Sequence, residues 1–481
     1  MSKQPLAVQL GQFVSDLRFE ALPPEVVDKA KALVNHSVTV AMACHGAPRS
    51  IQARQAVMQQ ESLGARRVGT GQGATVWVTG DRATRPGAAF ANGVAVAVNN
   101  QCDSYHMLTH PGVLIPPAGI ATAEGEGRSG KELLTAIVAG YEVQCRCARD
   151  FLPSTNARGF RSSPTYGILG CAATAAKLLG LDTAQTINAI ALAASFAGSL
   201  IEGQRVGAMD ADFAEAQASR NALWAATLAQ NSFGGAASAL EGEGGFYNAF
   251  TGNNKGDLSY AYEGPLKADL GDIVADLGKR WEVLDVKFKI YPTPGFNQPV
   301  IWLGHDLVEQ HRLRADEIEH VTLEMNYLET LYPSPRYPRG IGKDGHPFGR
   351  TAYMLASTLV RGDYPVLEDY DPHTEPGAEA EKQKQIAELV KRIEIIGVVG
   401  RHNFGPRITC ILRDGRRVSG EYHGRELMWD FAKDAHELRR FIPGLPIASA
   451  QYDRLVTAIS TLDSAESVDE VVRLTLANPE K

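Results

Sequence analysis

Asp103, Ser104, His106 and His110 crowd into the stretch Asn100-Gln101-Cys102-Asp103-Ser104-Tyr105-His106-Met107-Leu108-Thr109-His110-Pro111. An imidazole exchanges protons near neutral pH, a carboxylate can orient it, and a hydroxyl can bind a polar group, so the set suits general acid–base chemistry. His110 is the proton-transfer candidate, with Asp103 and Ser104 as its orienting partners and Asn100 and His106 as binding groups. Each has a plainer alternative: Asp and Ser also cap helices and close turns, and a histidine can simply be hydrogen-bonded in place. The spacing His106-x-x-x-His110 brings zinc to mind. Met107, however, stands where a zinc protease carries its glutamate, and Pro111 breaks the helix that would present both rings, so no metal is expected.

The elements that must hold this cluster can be read on either side of it. An apolar helical run ends near Val98, and Pro111 disfavours helix at His110, which places the cluster in a turn between helices. Chemistry tends to sit on such loops when a rigid scaffold supports them. Helical periodicity covers Leu6 to Leu17 and, after Leu22-Pro23-Pro24, runs on to about Cys44. Ser129-Gly130-Lys131-Glu132 and Asp182-Thr183-Ala184-Gln185 have capping-box spacing. Ala-rich runs over 165–200 and 214–229 allow helices to approach closely.

The pattern then changes to alternation at Val321–Met325, Ile393–Ile395 and Ile408–Leu412, with Asp414-Gly415 as a hairpin signal. Asp344 to Gly349 and Asp369 to Ala380 read as loops, and helical spacing returns beyond Glu426. The expected fold is mainly α: a helical domain over 1–285, an inserted smaller α+β lid domain over 286–424, and C-terminal helices over 425–481 that return to the first. An insertion of this kind leaves a cleft at the junction.

Composition narrows the function classes. The 481 residues are 44% hydrophobic, enough to bury more than one core, and the net charge of -7 argues against a nucleic-acid surface. The six cysteines lack metal-ligand spacing and read as reduced core thiols. Gly69-x-Gly71-x-Gly73 precedes an extended piece at Ala74 to Thr79 instead of following a strand, which speaks against dinucleotide binding. With no apolar leader or membrane span in the sequence, a cytoplasmic protein without nucleic-acid or membrane partners is expected.

Taken together, Ala88-Ala89-Phe90-Ala91-Asn92-Gly93, Asp103-Ser104 to His110-Pro111, Arg158-Gly159-Phe160, Gly167 to Leu181, Leu240-Glu241-Gly242 with Gly245-Phe246, and Lys289-Ile290-Tyr291-Pro292 resemble the MmgE/PrpD family. The resemblance covers nearly the whole chain. It implies a helical domain plus an α+β lid, a homodimer, no cofactor or metal, and a cleft that moves a proton next to a carboxylate of a small acid. The family's Asp-x-Asp-Asp-Thr run falls on Asn100 to Ser104, keeping Asp103 and replacing the leading aspartate with Asn100 and the threonine with Ser104. His110 and Lys289 are retained. A family histidine becomes Arg161, a lysine after Gly207-x-Met209 becomes Ala211, and two later histidines become Pro294 and Gln298.

Arg161 and Lys289 would hold carboxylates, Lys289 also helping catalysis. Neither Asn100 nor Arg161 can act as the acid or base expected at its position. Losing one lysine beside Asp210 and Asp212 lowers the affinity for anions, so the expected substrate carries fewer carboxylates than citrate-like acids, or an amine. The expected activity is a dehydratase-like lyase, with an isomerase or epimerase and a non-catalytic small-acid-binding protein as alternatives.

Overall fold

The computed structural model describes residues 4–64, 73–208, 210–338, 347–362 and 380–477. The chain divides into two compact units: Met1–Ser259, Leu266–Phe288 and Met428–Lys481 form the first, Tyr260–Pro265 and Lys289–Leu427 the second. The chain is mainly α, as expected. Gly69, Gly71 and Met209 lie outside the described residues, as do the segments 344–346 and 369–379.

The first unit is built of helices, with one short hairpin in which Ala74–Thr75 pairs with Arg82–Ala83. Helix Pro24–Ala43 begins at a proline whose missing N–H would have been unpaired in any case. Both capping boxes form. Ser129 accepts from the Glu132 N–H while Glu132 accepts from the Ser129 N–H, and Asp182 and Gln185 repeat the exchange. These boxes start helices Gly130–Ala148 and Thr183–Ser195. Asp210 and Asp212 lie in the first turn of helix Asp210–Gln230, where negative charge suits the helix dipole.

The core of this unit depends on small residues. At Gly170, on helix Ser162–Leu178, a Cβ would come within 2.6 Å of the Gly140 carbonyl oxygen on helix Gly130–Ala148. The two backbones therefore touch, and Thr174 Oγ1 donates across the crossing to Ala136 O at 3.2 Å. All six cysteines are buried and unbridged. Burial raises the pKa of those with resolved shifts, Cys44 and Cys147 both to about 12, so they pack as apolar groups.

The second unit contains a four-stranded sheet in the order Ile393–Val398, Ile318–Asn326, Arg407–Leu412, Arg417–Glu421. The first pair is parallel and the others antiparallel. A parallel pair needs a long crossover, and helices Pro347–Arg361 and Ala380–Val390 lie between its strands in sequence. The Asp414-Gly415 signal marks the hairpin of the last two strands, Gly415 at φ 87°. The loop expected over Asp344 to Gly349 is corrected at its end, because helix Pro347–Arg361 already includes Pro347, Phe348 and Gly349. Proline is tolerated in a first helical turn, so its presence did not exclude helix. Among the described residues, no helix is long and apolar enough to cross a membrane.

Gly170→Ala should lower unfolding stability by about 1–3 kcal/mol through overpacking against a backbone that cannot step aside. The denaturant midpoint of the purified variant measures this, and an unchanged midpoint would show that the crossing relaxes.

Candidate functional site

Helix Pro111–Glu126 opens on residues that cannot cap it, since Pro111 has no N–H and the His110 side chain makes no capping bond. Asp103 supplies the acceptor from across the loop. Its Oδ1 takes the Gly112 N–H at 2.7 Å, and its Oδ2 takes the Tyr141 hydroxyl at 2.6 Å. Burial and the neighbouring Asp103 hold the Tyr141 phenol well above its usual range, so it stays a donor. A Cβ at residue 112 would lie 2.8 Å from the Asp103 carboxyl atoms, which explains the glycine. Asp103 is only 2% exposed and acts here as the peg on which the loop hangs.

The loop is fastened at several further points within the first unit. His36 Nε2 meets Gln101 O at 2.8 Å while its Nδ1 meets Asp434 Oδ1 at 2.7 Å. Ser104 and Lys287 exchange both backbone bonds at 2.8 Å. The Ser104 hydroxyl donates to His106 O at 2.6 Å, so this buried side chain closes the turn. Tyr105 donates its hydroxyl to Glu282 Oε2 at 2.6 Å, and Gln144 Nε2 donates to Thr109 Oγ1 at 2.8 Å. The segment carrying Glu282 and Lys287 is anchored in turn by Glu142, whose Oε1 accepts the Val283 N–H at 2.9 Å.

These fastenings present His110. Its backbone N–H donates to Ser163 Oγ at 2.9 Å, and its Nδ1 lies 3.2 Å from Asp103 O. A carbonyl only accepts, so the proton in this contact sits on Nδ1 and the neutral ring carries its basic lone pair on Nε2. His110 is half-buried. His106 sits nearby in sequence at φ 49°, edge-on to Tyr105 at 4.6 Å between ring centroids. Burial, then the positive charge of Lys287, lowers its pKa to about 3. It is therefore neutral at physiological pH and contributes hydrogen bonding without charge.

The remaining sequence candidates fall in different settings. Arg161 is the N-cap residue of helix Ser162–Leu178, and its Nη2 pairs with Glu215 Oε1 at 3.0 Å. Glu215 compensates its charge. Asn100 is exposed at φ 56°, a left-handed position that asparagine adopts more readily than most residues. Lys289 belongs to the second unit, is 1% exposed, and among the described residues its Nζ has no hydrogen-bonded or ionic partner. Gln298 fixes its segment, accepting the Ile290 and Tyr291 N–H groups at 3.1 Å each and donating to Tyr291 O at 2.7 Å. Lys287 and Tyr141 escaped the sequence reading. Lys287-Phe288-Lys289 was a usable signal for the first, because alternating lysines in a largely apolar segment are costly to bury without purpose.

His106 gives a pH prediction. Its folded pKa lies below the unfolded value, so between about pH 3 and pH 6.5 the unfolded chain binds more protons at this site and stability rises with pH. His106→Gln should flatten the loss of stability on going from pH 7 to pH 4.5, read as the shift in denaturant midpoint. An equal loss in both proteins would show that His106 protonates freely in the folded state.

A model of the MmgE/PrpD N-terminal domain matches residues 8–259, more than half of the chain. A cis-aconitate decarboxylase-like protein of Aspergillus oryzae is 26% identical over an alignment covering 76% of this chain and 76% of that protein. The cis-aconitate decarboxylase of Aspergillus terreus is 27% identical, covering 68% and 66% respectively. The human cis-aconitate decarboxylase is 34% identical, covering 67% and 63%. The matched family region contains the whole 100–112 loop with Asp103, Ser104, His106 and His110, as well as Arg161, and the chain belongs to the MmgE/PrpD family.

Proposed function

We propose that this protein is a lyase acting on a small carboxylic acid, with His110 moving a proton at the carbon next to a carboxylate. The observation that supports this is the His110 Nδ1 contact with Asp103 O, which makes Nε2 the basic nitrogen of the neutral ring. Asp103 is proposed to orient the ring, its carbonyl meeting His110 Nδ1 while its carboxylate holds the Gly112 N–H and the Tyr141 hydroxyl. In a dehydration, Nε2 takes the proton, the C–H pair becomes the new double bond, and the hydroxide leaves as water by taking back the proton that Nε2 has just gained. In a decarboxylation the proton runs the other way. The C–C pair stays on the substrate framework, carbon dioxide leaves, and the protonated Nε2 supplies the proton that ends on carbon.

Both reactions build charge on the substrate carboxylate and benefit from fixed positive groups. Lys289, 1% exposed in the second unit, is proposed as a carboxylate-binding residue in its own right. Arg161 with Glu215 offers a charge-compensated contact in the first unit, which supports a substrate with fewer carboxylates than a tricarboxylic acid. The relatives' decarboxylase names support carbon–carbon cleavage alongside the dehydratase-like reading.

Proton NMR of the purified protein in D2O with cis-aconitate, 2-methylcitrate, iminodisuccinate and simpler hydroxy acids tests this directly. The expected result is a new vinylic product, fastest from a mono- or dicarboxylic acid, with kcat falling roughly 100- to 10,000-fold in His110→Gln. Efficient turnover of a tricarboxylic acid would overturn the smaller substrate. Deuterium exchange without elimination would overturn the lyase in favour of an epimerase, and full activity in His110→Gln would remove His110 from the chemistry.

A further inference from the structure

We propose that His36 is a positioning residue for His110, and that it acts as the imidazolium, with both ring nitrogens protonated. The consequence for catalysis rests on the reading of His110 given above, whereas the charge rests on the geometry of the first unit alone. His36 lies on helix Pro24–Ala43, is 1% exposed, and bridges helix Phe431–Leu438 to the 100–112 loop. Its Nδ1 meets Asp434 Oδ1 at 2.7 Å and its Nε2 meets Gln101 O at 2.8 Å.

Both partners are acceptors. A backbone carbonyl carries no proton, so the proton in the Gln101 contact sits on Nε2. A neutral histidine beside a carboxylate donates from one nitrogen and keeps a lone pair on the other. Here that lone pair would face the lone pairs of a carbonyl oxygen, so the His36–Asp434 pair holds one proton more than the ordinary pair does. Asp434 is buried and supplies the compensating charge, its Oδ2 accepting from Asn35 Nδ2 at 2.9 Å, a second bond that favours the ionised acid.

The surrounding charges accommodate a cation at this ring. Lys29, on the same helix, shares the Phe288 ring with His36, its Nζ lying 4.2 Å and the imidazole 4.8 Å from the ring centroid. Lys29 is attracted by the buried Asp434 and Asp103 and the exposed Asp285, and repelled by Lys287. The Tyr452 phenol beside Asp434 is kept neutral by burial. Those carboxylates are matched by the two lysines and a protonated His36, and a neutral Lys29 would leave still more negative charge for His36 to balance. The imidazolium reaches His110 through the loop. Gln101 precedes Asp103, whose carbonyl meets His110 Nδ1, and Ser37, next to His36, donates its hydroxyl to Gly112 O at 2.9 Å. One helix thus holds the loop near both of its ends, and loss of the Nε2 proton would release the first of them.

Downfield proton and nitrogen-15 spectra of the histidine rings in the full chain test this. His36→Gln assigns the signals, and Asp434→Asn, which keeps the shape of the acid without its charge, serves if that variant does not fold. Two protonated nitrogens on His36 are expected at about pH 7, with the Nε2 proton lost in Asp434→Asn and the His110 ring signals shifted in either variant. With an acid that the protein turns over, kcat should fall about 10- to 100-fold in Asp434→Asn while KM holds, because the loop moves and the carboxylate contacts do not. A purely structural role would lower the denaturant midpoint yet leave the His110 signals and kcat of the folded variants unchanged, and that result would overturn the proposal. So would a single protonated nitrogen on His36 in the unaltered protein. Absence of turnover with every acid would overturn the lyase reading and not the charge of His36, which the spectra decide.

Discussion

The carboxylate of Asp103 at the start of helix Pro111–Glu126 is the contact on which the site depends. A helix that begins with proline and glycine after a non-capping histidine leaves its first turn short of an acceptor, and Asp103 provides it through the Gly112 N–H. Capping bonds of this type stabilise by roughly 0.5–2 kcal/mol, and the helix dipole adds to the attraction. Because Asp103 is separated from Gly112 by the loop itself, the same bond that starts the helix also closes the loop. That closure brings the Asp103 carbonyl to the His110 ring and so selects the tautomer. Stability and proposed chemistry thus share one side chain.

Around that contact, buried charge is handled by neighbours and not by solvent. Lys29 donates to the Val286 and Trp429 carbonyls at 2.6 and 3.0 Å and lies over the Phe288 ring, and burial lowers its pKa to about 7 against the opposing pull of Asp434 and Asp103. Arg146 pairs with Glu142 and donates to Ala275 O at 2.7 Å, tying down the segment that supplies Glu282 and Lys287. Breaking one partner of such a pair leaves an uncompensated buried charge, which is far more costly than replacing both. The departures from the family pattern fit this economy of contacts. Asn100 occupies a left-handed turn, Gln298 clamps the Lys289 segment, and Arg161 is held by Glu215.

What could be read from the sequence was local. The boxes at Ser129 and Asp182, the break at His110-Pro111 and the hairpin at Asp414-Gly415 each depend on residues a few positions apart, and each took the expected form. What could not be read was long-range. Nothing in the spacing announces that Gly140 and Gly170 let two backbones touch, that Tyr141 donates to Asp103, or that Glu215 meets Arg161. Ser104 makes the same point within the cluster: its type offered a hydroxyl, and its position in the turn sets that hydroxyl donating to the His106 carbonyl. Side-chain type narrows the chemistry a residue can do, and only the partners across the fold decide which of those it does.

The most direct test of this account is the nitrogen-15 spectrum of the His110 ring, assigned by comparison with His110→Gln and recorded with and without a small carboxylic acid. The account predicts a protonated Nδ1 and a basic Nε2 in the neutral ring, with the Nε2 resonance moving on addition of the acid. A ring protonated at Nε2 instead, or one whose signals ignore every acid offered, would contradict the assignment of proton transfer to His110.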